Sequence, residues 1–295
     1  AARAQARLMT EILVIKHGAL GDMVLALGAF AAIRAHHLRD RLTLLTTPPY
    51  VPLVEPSGWF DDIWTEGRAP AWRPGEALAL RRRVGRLSPA RIYDLQGSAR
   101  TGWYRRLWPV AAGRWLRDAG PPDGRHVRER LAALLAAGGI ADTPPPSVAF
   151  LDTDVAALGL PPRMVLLVPS AGRPAKQWPL EHWTELAGAL QRHGLAPVTI
   201  GGTDATRVAG TLDLTGRTDF ATLAALARRA ELAIGNDTGP MHLDAAPGRP
   251  ALALFGPASD PRPSAPGWPS GRWLRGDPLE AVSVGDVLAA LDIGT

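Results

Sequence analysis

Short runs of apolar residues alternate along this chain with longer stretches in which apolar residues recur at helical spacing. The run EILVIK (11–16) is typical of a buried strand, and GDMVLALGAFAAIRAHH (21–37) is typical of a helix with Asp22 in its first turn. The alternation predicts α/β units built on parallel sheets. Further strands are predicted at 42–46, 61–65, 91–95, 231–235 and 250–256, with a strand and loop at 163–170 and a strand and turn at 196–202. Helices are predicted near 75–87, 99–107, 125–138, 179–193 and 218–230, and a last strand and helix follow the proline-rich loop at 257–270.

Two helix starts can be predicted from single residues. Thr218 is the expected N-cap of the helix at 218–230, because its hydroxyl can accept a hydrogen bond from the first turn. Pro240 is the expected first residue of a short helix, since proline needs no backbone donor at that position.

A proline-rich segment at 139–162 interrupts the alternation of strands and helices. It contains five prolines and little periodicity, as linkers between domains often do. With 295 residues, the chain exceeds the usual size of one domain. We therefore expect two domains, at 9–155 and 156–295, with residues 1–8 as an extension before Met9.

The composition is that of an ordinary globular protein, with 46% hydrophobic and 21% charged residues. No run of about 18 uncharged apolar residues is present, and the first residues lack the apolar stretch of a signal peptide. The chain has no cysteine, which excludes disulfide bonds and thiolate metal sites and fits a reducing compartment. We expect a cytoplasmic protein.

Basic residues are unevenly distributed. Only Lys16 and Lys176 among the 33 basic residues are lysines, and arginines concentrate at 78–91 and at Arg100, Arg105 and Arg106. Such a run is commonly a solvated helix face. The alternative is attraction to anionic lipid headgroups at the inner face of the cytoplasmic membrane, or to a phosphorylated substrate. Nucleic acid is not an expected partner, because no motif for binding it is present.

Ligands of open parallel sheets bind in the loops beyond the carboxyl ends of the strands, and three such loops stand out here. The first, KHGALGD (16–22), contains Gly18 and Gly21, which let the backbone approach a ligand. Asp22 follows at the start of the helix, where its negative charge is favoured. It either caps the helix or takes part in chemistry.

The second loop, PSAGRPAKQWPLEHW (169–183), combines small residues such as Ser170 with the isolated cation Lys176. A flexible loop with an ammonium group suits an anionic phosphate. The structural alternative is an exposed loop with an incidental lysine.

The third loop, GNDTGPMH (235–242), leaves a strand and enters a helix. The backbone N–H groups of Thr238 and Gly239 lie in the N-cap region, which is suited to phosphate. Asp237 would then face ligand hydroxyls, since two anions would repel each other. His242 is either an ordinary helix residue or part of the site.

Together and in this order, the three loops resemble glycosyltransferase family 9, the heptosyltransferases of lipopolysaccharide core assembly. The resemblance rests on ILVIKHGALGDMVLA, on PSAGRPAKQWP and on NDTGPMHLDAAPGRPALALFGPASDP, and it extends over nearly the whole chain from Met9. It implies a GT-B architecture, in which two Rossmann-like domains with parallel sheets face a central cleft. The N-terminal domain would take the acceptor, and the C-terminal domain the nucleotide sugar.

The resemblance also implies roles for individual residues. Asp22 matches the proposed general base, and Lys176 matches the residue that contacts the donor phosphates. The remaining donor-binding positions are implied to be Ser170, Asp204, Asp237, Thr238, Gly239 and His242. The loop before Asp22 is implied to contact phosphate or acceptor through Lys16, His17, Gly18 and Gly21. His17 is the alternative base. Ala205 departs from the family, which often has a ribose-binding glutamate there, and the adjacent Asp204 could substitute for it.

The implied function is inverting, metal-independent transfer of a heptose-type sugar from a nucleoside-diphosphate donor, expected to be ADP-linked. The acceptor would be a lipopolysaccharide core or a related lipid-linked or oligosaccharide glycan, and no cofactor is expected. One alternative is a sugar-nucleotide epimerase of the same fold, and another is a catalytically silent protein that binds nucleotide sugars. A nicotinamide-dependent dehydrogenase is disfavoured, because the first loop lacks the pyrophosphate fingerprint.

Overall fold

The computed structural model describes residues 9–67, 74–118, 124–267 and 271–293. The chain forms two compact units. One contains residues up to 18 together with 26–123 and 128–145, and the other contains 19–25, 124–127 and 146–295. The extension expected at residues 1–8 lies outside the described residues.

The first unit is built on a parallel five-stranded sheet. Its strands are β1 (Glu11–Ile15), β2 (Arg41–Thr46), β3 (Asp62–Thr65), β4 (Arg91–Asp94) and β5 (Trp115–Arg117), in the order β3-β2-β1-β4-β5. Its helices are α1 (Leu20–His36), of which the first turns group with the second unit, α2 (Val51–Val54), α3 (Pro74–Leu87), α4 (Ala99–Leu107) and α5 (Val127–Ala137). The strand order reverses between β1 and β4.

The second unit is built on a parallel six-stranded sheet. Its strands are β6 (Met164–Val168), β7 (Ala196–Thr199), β8 (Leu212–Asp213), β9 (Leu232–Asn236), β10 (Ala251–Phe255) and β11 (Arg272–Arg275), in the order β11-β10-β9-β6-β7-β8. Its helices are α6 (Leu180–Arg192), α7 (Phe220–Arg229), α8 (Gly239–Ala245) and α9 (Val284–Ala290). This is the Rossmann strand order, with its switch point between β6 and β9.

The central strands are apolar because both of their faces are covered. Every residue of β6 and β10 is buried, as is every residue of β1 after Glu11. Parallel strands that are packed on both faces lack the alternation of half-exposed strands. The continuous apolar runs in the sequence therefore predicted these strands well.

The structure corrects several local predictions. Asp219, and not Thr218, caps α7: its carboxylate accepts a 2.8 Å hydrogen bond from Thr222 N. α8 begins at Gly239, so Pro240 is its second residue. The sequence pattern also missed β5 and β8, because strands of three and two residues carry too little periodicity to be recognised.

Candidate functional site

The switch point of the second sheet brings two predicted site residues into contact. Lys176 lies in the loop after β6, and Asp237 follows β9 directly. Lys176 Nζ donates a 2.5 Å hydrogen bond to Asp237 Oδ2, and the two side chains are 22% and 13% exposed. The connections after β6 and β9 run to opposite sides of the switch point and open a crevice at this edge, where ligands of such folds bind. A cation and a carboxylate are thus paired where a polar ligand can reach them.

Asn236 holds the two loops of this switch point together. Its side chain is buried, with Nδ2 donating 2.6 Å to Pro169 O and Oδ1 accepting 3.1 Å from Trp178 N. One amide therefore ties the start and the end of the loop that contains Lys176 to the end of β9. Sequence reasoning did not single out Asn236, although a lone amide at the end of an apolar strand is a usable signal, because a buried amide must find partners.

His242 lies in α8 and is buried. Burial lowers the pKa of His242 to about 4, against the opposing attraction of Asp237 and Asp22. His126 and Lys176 lower it further by repulsion. The four charged or titratable neighbours therefore surround one imidazole, which is neutral at neutral pH.

The first turn of α1 packs against α8. A methyl group built on Gly21 would lie 2.5 Å from His242 Cδ2 and 2.8 Å from His242 Nε2. One built on Gly239 would lie 2.7 Å from Leu20 Cβ. The absence of side chains at these two glycines lets the helix starts approach, and this places the turn with Asp22 near His242.

We expect Gly21→Ala to lower the free energy of unfolding by about 1–3 kcal/mol, because its methyl group overpacks a buried ring. Gly75→Ala is the matched control: Gly75 is also the second residue of a helix, α3, and a methyl group there meets nothing within 4 Å. That control should be stabilised by up to about 1 kcal/mol through helix propensity. Chemical denaturation of both variants measures the difference, and equal stability would contradict the close packing.

Stability should depend on pH through His242. A histidine whose folded pKa is about 4, against an ordinary 6.5, gives its full stability above pH 6.5 and loses it as the pH falls towards 4. Relative to His242→Gln, the wild type should lose about 3 kcal/mol across this interval. Unfolding curves at several pH values measure this difference, in which groups common to both proteins, such as the buried Asp244, cancel. Parallel profiles would show that the folded protein can protonate His242.

Other predicted donor-binding residues lie around the same sheet edge. Ser170 Oγ accepts a 2.6 Å hydrogen bond from Thr206 N, so it anchors the loop in which Asp204 is exposed. Thr238 is the N-cap of α8, with extended backbone and no capping hydrogen bond from its side chain. Gly239 is the first residue of the helix.

In the first unit, Lys16 and His17 lie at the switch point between β1 and β4, where both are buried. Lys16 Nζ donates 3.1 Å to Leu95 O, and Gln96 Oε1 accepts 2.9 Å from His17 N. These bonds join the loops that follow the two strands. Lys16 therefore has a structural contact that its place in the sequence did not reveal.

The His17 ring belongs to a buried polar network. Its Nε2 lies 3.1 Å from Glu66 Oε1, and Tyr104 donates a hydrogen bond to the other oxygen of Glu66. Burial, with the neighbouring Glu66, raises the pKa of Tyr104. Beside His17, Gly18 has a φ of 113° and packs on the Tyr50 ring. Asp22 accepts a local 3.2 Å hydrogen bond from Ala19 N and is half-buried.

Two classes of feature are missing from the part of the chain that the structure describes. No group of three or more His, Asp or Glu side chains there is arranged to hold a metal ion. Within the same residues, no helix combines the length and the apolar character that crossing a bilayer requires.

Two parallel sheets, the second with the Rossmann order and a polar pair at its switch point, define an α/β protein of the GT-B class. Solved structures confirm this fold. The glycosyl transferase family 9 structure from Veillonella parvula superposes with a TM-score of 0.77 at 18% identity, covering 96% of both chains. The E. coli heptosyltransferase WaaC with ADP gives a TM-score of 0.75 at 18% identity, covering 96% of this chain and 99% of that one.

The chain belongs to glycosyltransferase family 9 (heptosyltransferase), whose sequence model matches residues 85–269, more than half of its length. Lipopolysaccharide heptosyltransferase 3 of Escherichia coli K12 is 28% identical over an alignment of 199 residues that covers 58% of this chain and 54% of that protein. Lipopolysaccharide heptosyltransferase 2 of Salmonella typhimurium is 32% identical over an alignment of 99 residues that covers 29% of this chain and 28% of that protein. The chain thus spans about half the length of the first of these curated relatives and less of the second.

Proposed function

We propose that this protein transfers a heptose-type sugar from a nucleoside-diphosphate donor to a lipopolysaccharide-core or related glycan acceptor, with inversion at the anomeric carbon. The observation that carries the proposal is the Lys176–Asp237 pair at the Rossmann switch point of a family 9 chain. In this proposal, residues 156–295 form the donor-binding domain and 9–155 the acceptor-side domain.

The donor diphosphate would lie over the loops after β6 and β9. Lys176 already has a carboxylate partner 2.5 Å away, so its ammonium is held in place before the ligand arrives. Backbone N–H groups at Thr238 and Gly239 add partial positive charge at the start of α8. Asp237 then accepts hydrogen bonds from sugar hydroxyls, and Asp204 with Ser170 borders the nucleoside.

The chemical step is a displacement at the anomeric carbon. The acceptor oxygen forms a bond to that carbon while the bond to the leaving diphosphate breaks, and Asp22 takes the proton of the acceptor hydroxyl. A positioned base of this kind contributes about 10²–10⁴-fold. Lys176 and the α8 N–H groups stabilise the negative charge that grows on the leaving phosphate, so the proposed reaction needs no metal ion and no cofactor.

His242 fits a neutral role in this scheme. Its low pKa keeps the imidazole uncharged at neutral pH, so it can donate or accept a hydrogen bond without adding charge beside the diphosphate. Its contact with Gly21 also fixes the turn that presents Asp22. His17, which is buried against Glu66, is the less accessible base.

An ADP-linked donor is supported by the relatives. WaaC has been solved with ADP and with ADP-2-deoxy-2-fluoro heptose. We place the reaction in the cytoplasm, since the chain has no cysteine.

The test combines donor binding with transfer. In a thermal-shift panel, ADP should stabilise the protein more than UDP or GDP does. At a hundred dissociation constants of ADP, the gain over the ligand-free protein should be about 2.7 kcal/mol. Mass spectrometry should then find one added heptose on a heptose-deficient core acceptor incubated with ADP-heptose, with or without a chelator.

Three results would overturn the proposal. An epimerised sugar from donor alone would indicate a sugar-nucleotide epimerase. Binding of the nucleotide with no transfer to any core acceptor would indicate a silent binding protein. Loss of transfer in the chelator would contradict metal independence.

A further inference from the structure

The first unit has a strongly basic surface on α3 and α4. The two helices are neighbours: Arg81 Nε donates 2.7 Å to Leu107 O, and both helices pack on one apolar cluster through Val84, Tyr104 and Trp108. The opposite sides of the helices are exposed. We call the outward residues the α3–α4 face, and they are Leu78, Arg82, Arg86, Trp103, Arg106 and Leu107.

Charge is segregated onto this part of the chain. Residues 77–117 contain ten of the 33 basic residues but only one of the 28 acidic residues, Asp94. Asp94 is fully buried and paired with Arg117 at 2.9 Å, so it does not neutralise the surface. The rest of the chain therefore has more acidic than basic residues, although the whole chain has a formal charge of +5.

Large apolar side chains lie among these arginines. Trp103 is 58% exposed and Leu107 is 57% exposed, one helical turn apart on α4, and Leu78 on α3 is 41% exposed. The Arg106 guanidinium lies 5.6 Å from the centre of the Trp103 ring. Exposed tryptophan flanked by arginine is the combination that favours the interface between lipid headgroups and acyl chains.

A groove beside Trp103 extends the face. It has a volume of about 550 Å³ and is lined in part by Arg105, Arg106 and Arg117. Arg105 and Arg106 suit a phosphate group, because a guanidinium group can donate two parallel hydrogen bonds to its oxygens. Arg117 adds positive charge, while its own donors hold Asp94 and Ser98 O.

We propose that the α3–α4 face binds the anionic surface of a lipid bilayer, with the arginines on headgroup phosphates and with Trp103 and Leu107 inserted at the interface. The charge complementarity argues for this occupant: a solvated helix face needs neither exposed tryptophan nor an excess of one charge. The inference rests on the side chains of α3 and α4 alone, so it does not depend on the proposed transfer function.

Co-sedimentation with vesicles tests the proposal. The full chain should bind vesicles of phosphatidylcholine with phosphatidylglycerol, should not bind phosphatidylcholine alone, and should bind less as salt rises. Arg82→Glu/Arg106→Glu should lower the partition coefficient at least about 30-fold, at about 1 kcal/mol for each basic residue near the surface. Trp103→Ser should weaken the binding that persists at high salt.

Arg192→Glu/Arg229→Glu is the matched control, with the same charge change at exposed positions in α6 and α7. It should keep wild-type vesicle binding, and all variants should keep their melting temperatures.

Equal binding to both vesicle types, no binding to either, or an equal loss in the control would overturn the proposal. Tighter binding to a single-stranded oligonucleotide that the same Arg82/Arg106 reversals abolish would also overturn it, by assigning the face to nucleic acid. The vesicles contain no sugar donor or acceptor, so none of these outcomes tests transfer.

Discussion

Asp22→Asn should lower kcat for sugar transfer about 10²–10⁴-fold, because asparagine cannot take the proton from the acceptor hydroxyl. The substitution preserves the local structure. Asp22 Oδ2 accepts a 3.2 Å hydrogen bond from Ala19 N at the start of α1, and an asparagine oxygen can accept the same bond. The melting temperature and the affinity for ADP should therefore stay close to those of the wild type. Initial rates at saturating donor and acceptor measure the effect.

Asp22→Ala separates the two readings of this residue. Alanine removes both the base and the capping oxygen, so it should lose activity as asparagine does and also lose about 0.5–2 kcal/mol of stability. If Asp22 served only as a cap, the Asp22→Asn variant would transfer sugar at the full rate, and the Asp22→Ala variant would only be less stable. In that case the base would have to be sought elsewhere, and His17→Gln would be the next variant to examine.

Lys176→Met should lower kcat/KM for the donor about 10²–10³-fold, because it removes a charge that meets the leaving diphosphate. Steady-state kinetics with varied donor, together with calorimetric titration of ADP, measures the loss. The effect should be larger for ADP than for AMP, since the second phosphate of the diphosphate provides the additional negative charge.

The ion pair with Asp237 requires a further control. Lys176→Met leaves a largely buried carboxylate without its partner, and that alone could disturb the loop. Lys176→Met/Asp237→Asn removes both charges. If Lys176 binds the diphosphate, the double variant should remain as weak for ADP as the single one. Recovery of ADP affinity in the double variant would reduce Lys176 to a structural partner of Asp237.

The separation of the sequence into elements could be predicted because each element depends on neighbouring residues. Buried parallel strands need continuous apolar runs, and the polar residues that follow them must lie at the carboxyl edge of the sheet. The bounds of α4 were predicted as observed, at residues 99–107. The α/β class and the three chemically rich loops follow from the same local rules.

Local rules failed where two neighbouring residues could serve equally well. Thr218 and Asp219 are both good caps. The structure selects Asp219, whose backbone is extended and whose carboxylate accepts the hydrogen bond from Thr222 N. Gly28 in α1 shows a second limit of local rules. A methyl group at this position would lie 2.0 Å from Pro144 O, so a contact with a distant segment is what requires glycine there. A single sequence contains no signal for such a contact.

By itself, the sequence determined the fold class, the positions of most strands and helices, and the loops that could bind an anion, since these follow from periodicity and residue type over a few positions. Only the tertiary structure decided which polar residues have which partners. It buried Lys16 on Leu95 O, paired Lys176 with Asp237, and made Asn236 the tie between two loops. These partners are about 60–80 residues apart in the chain. Their pairing depends on the order in which the strands join the sheet, and it is burial in that sheet that makes each polar group require a partner.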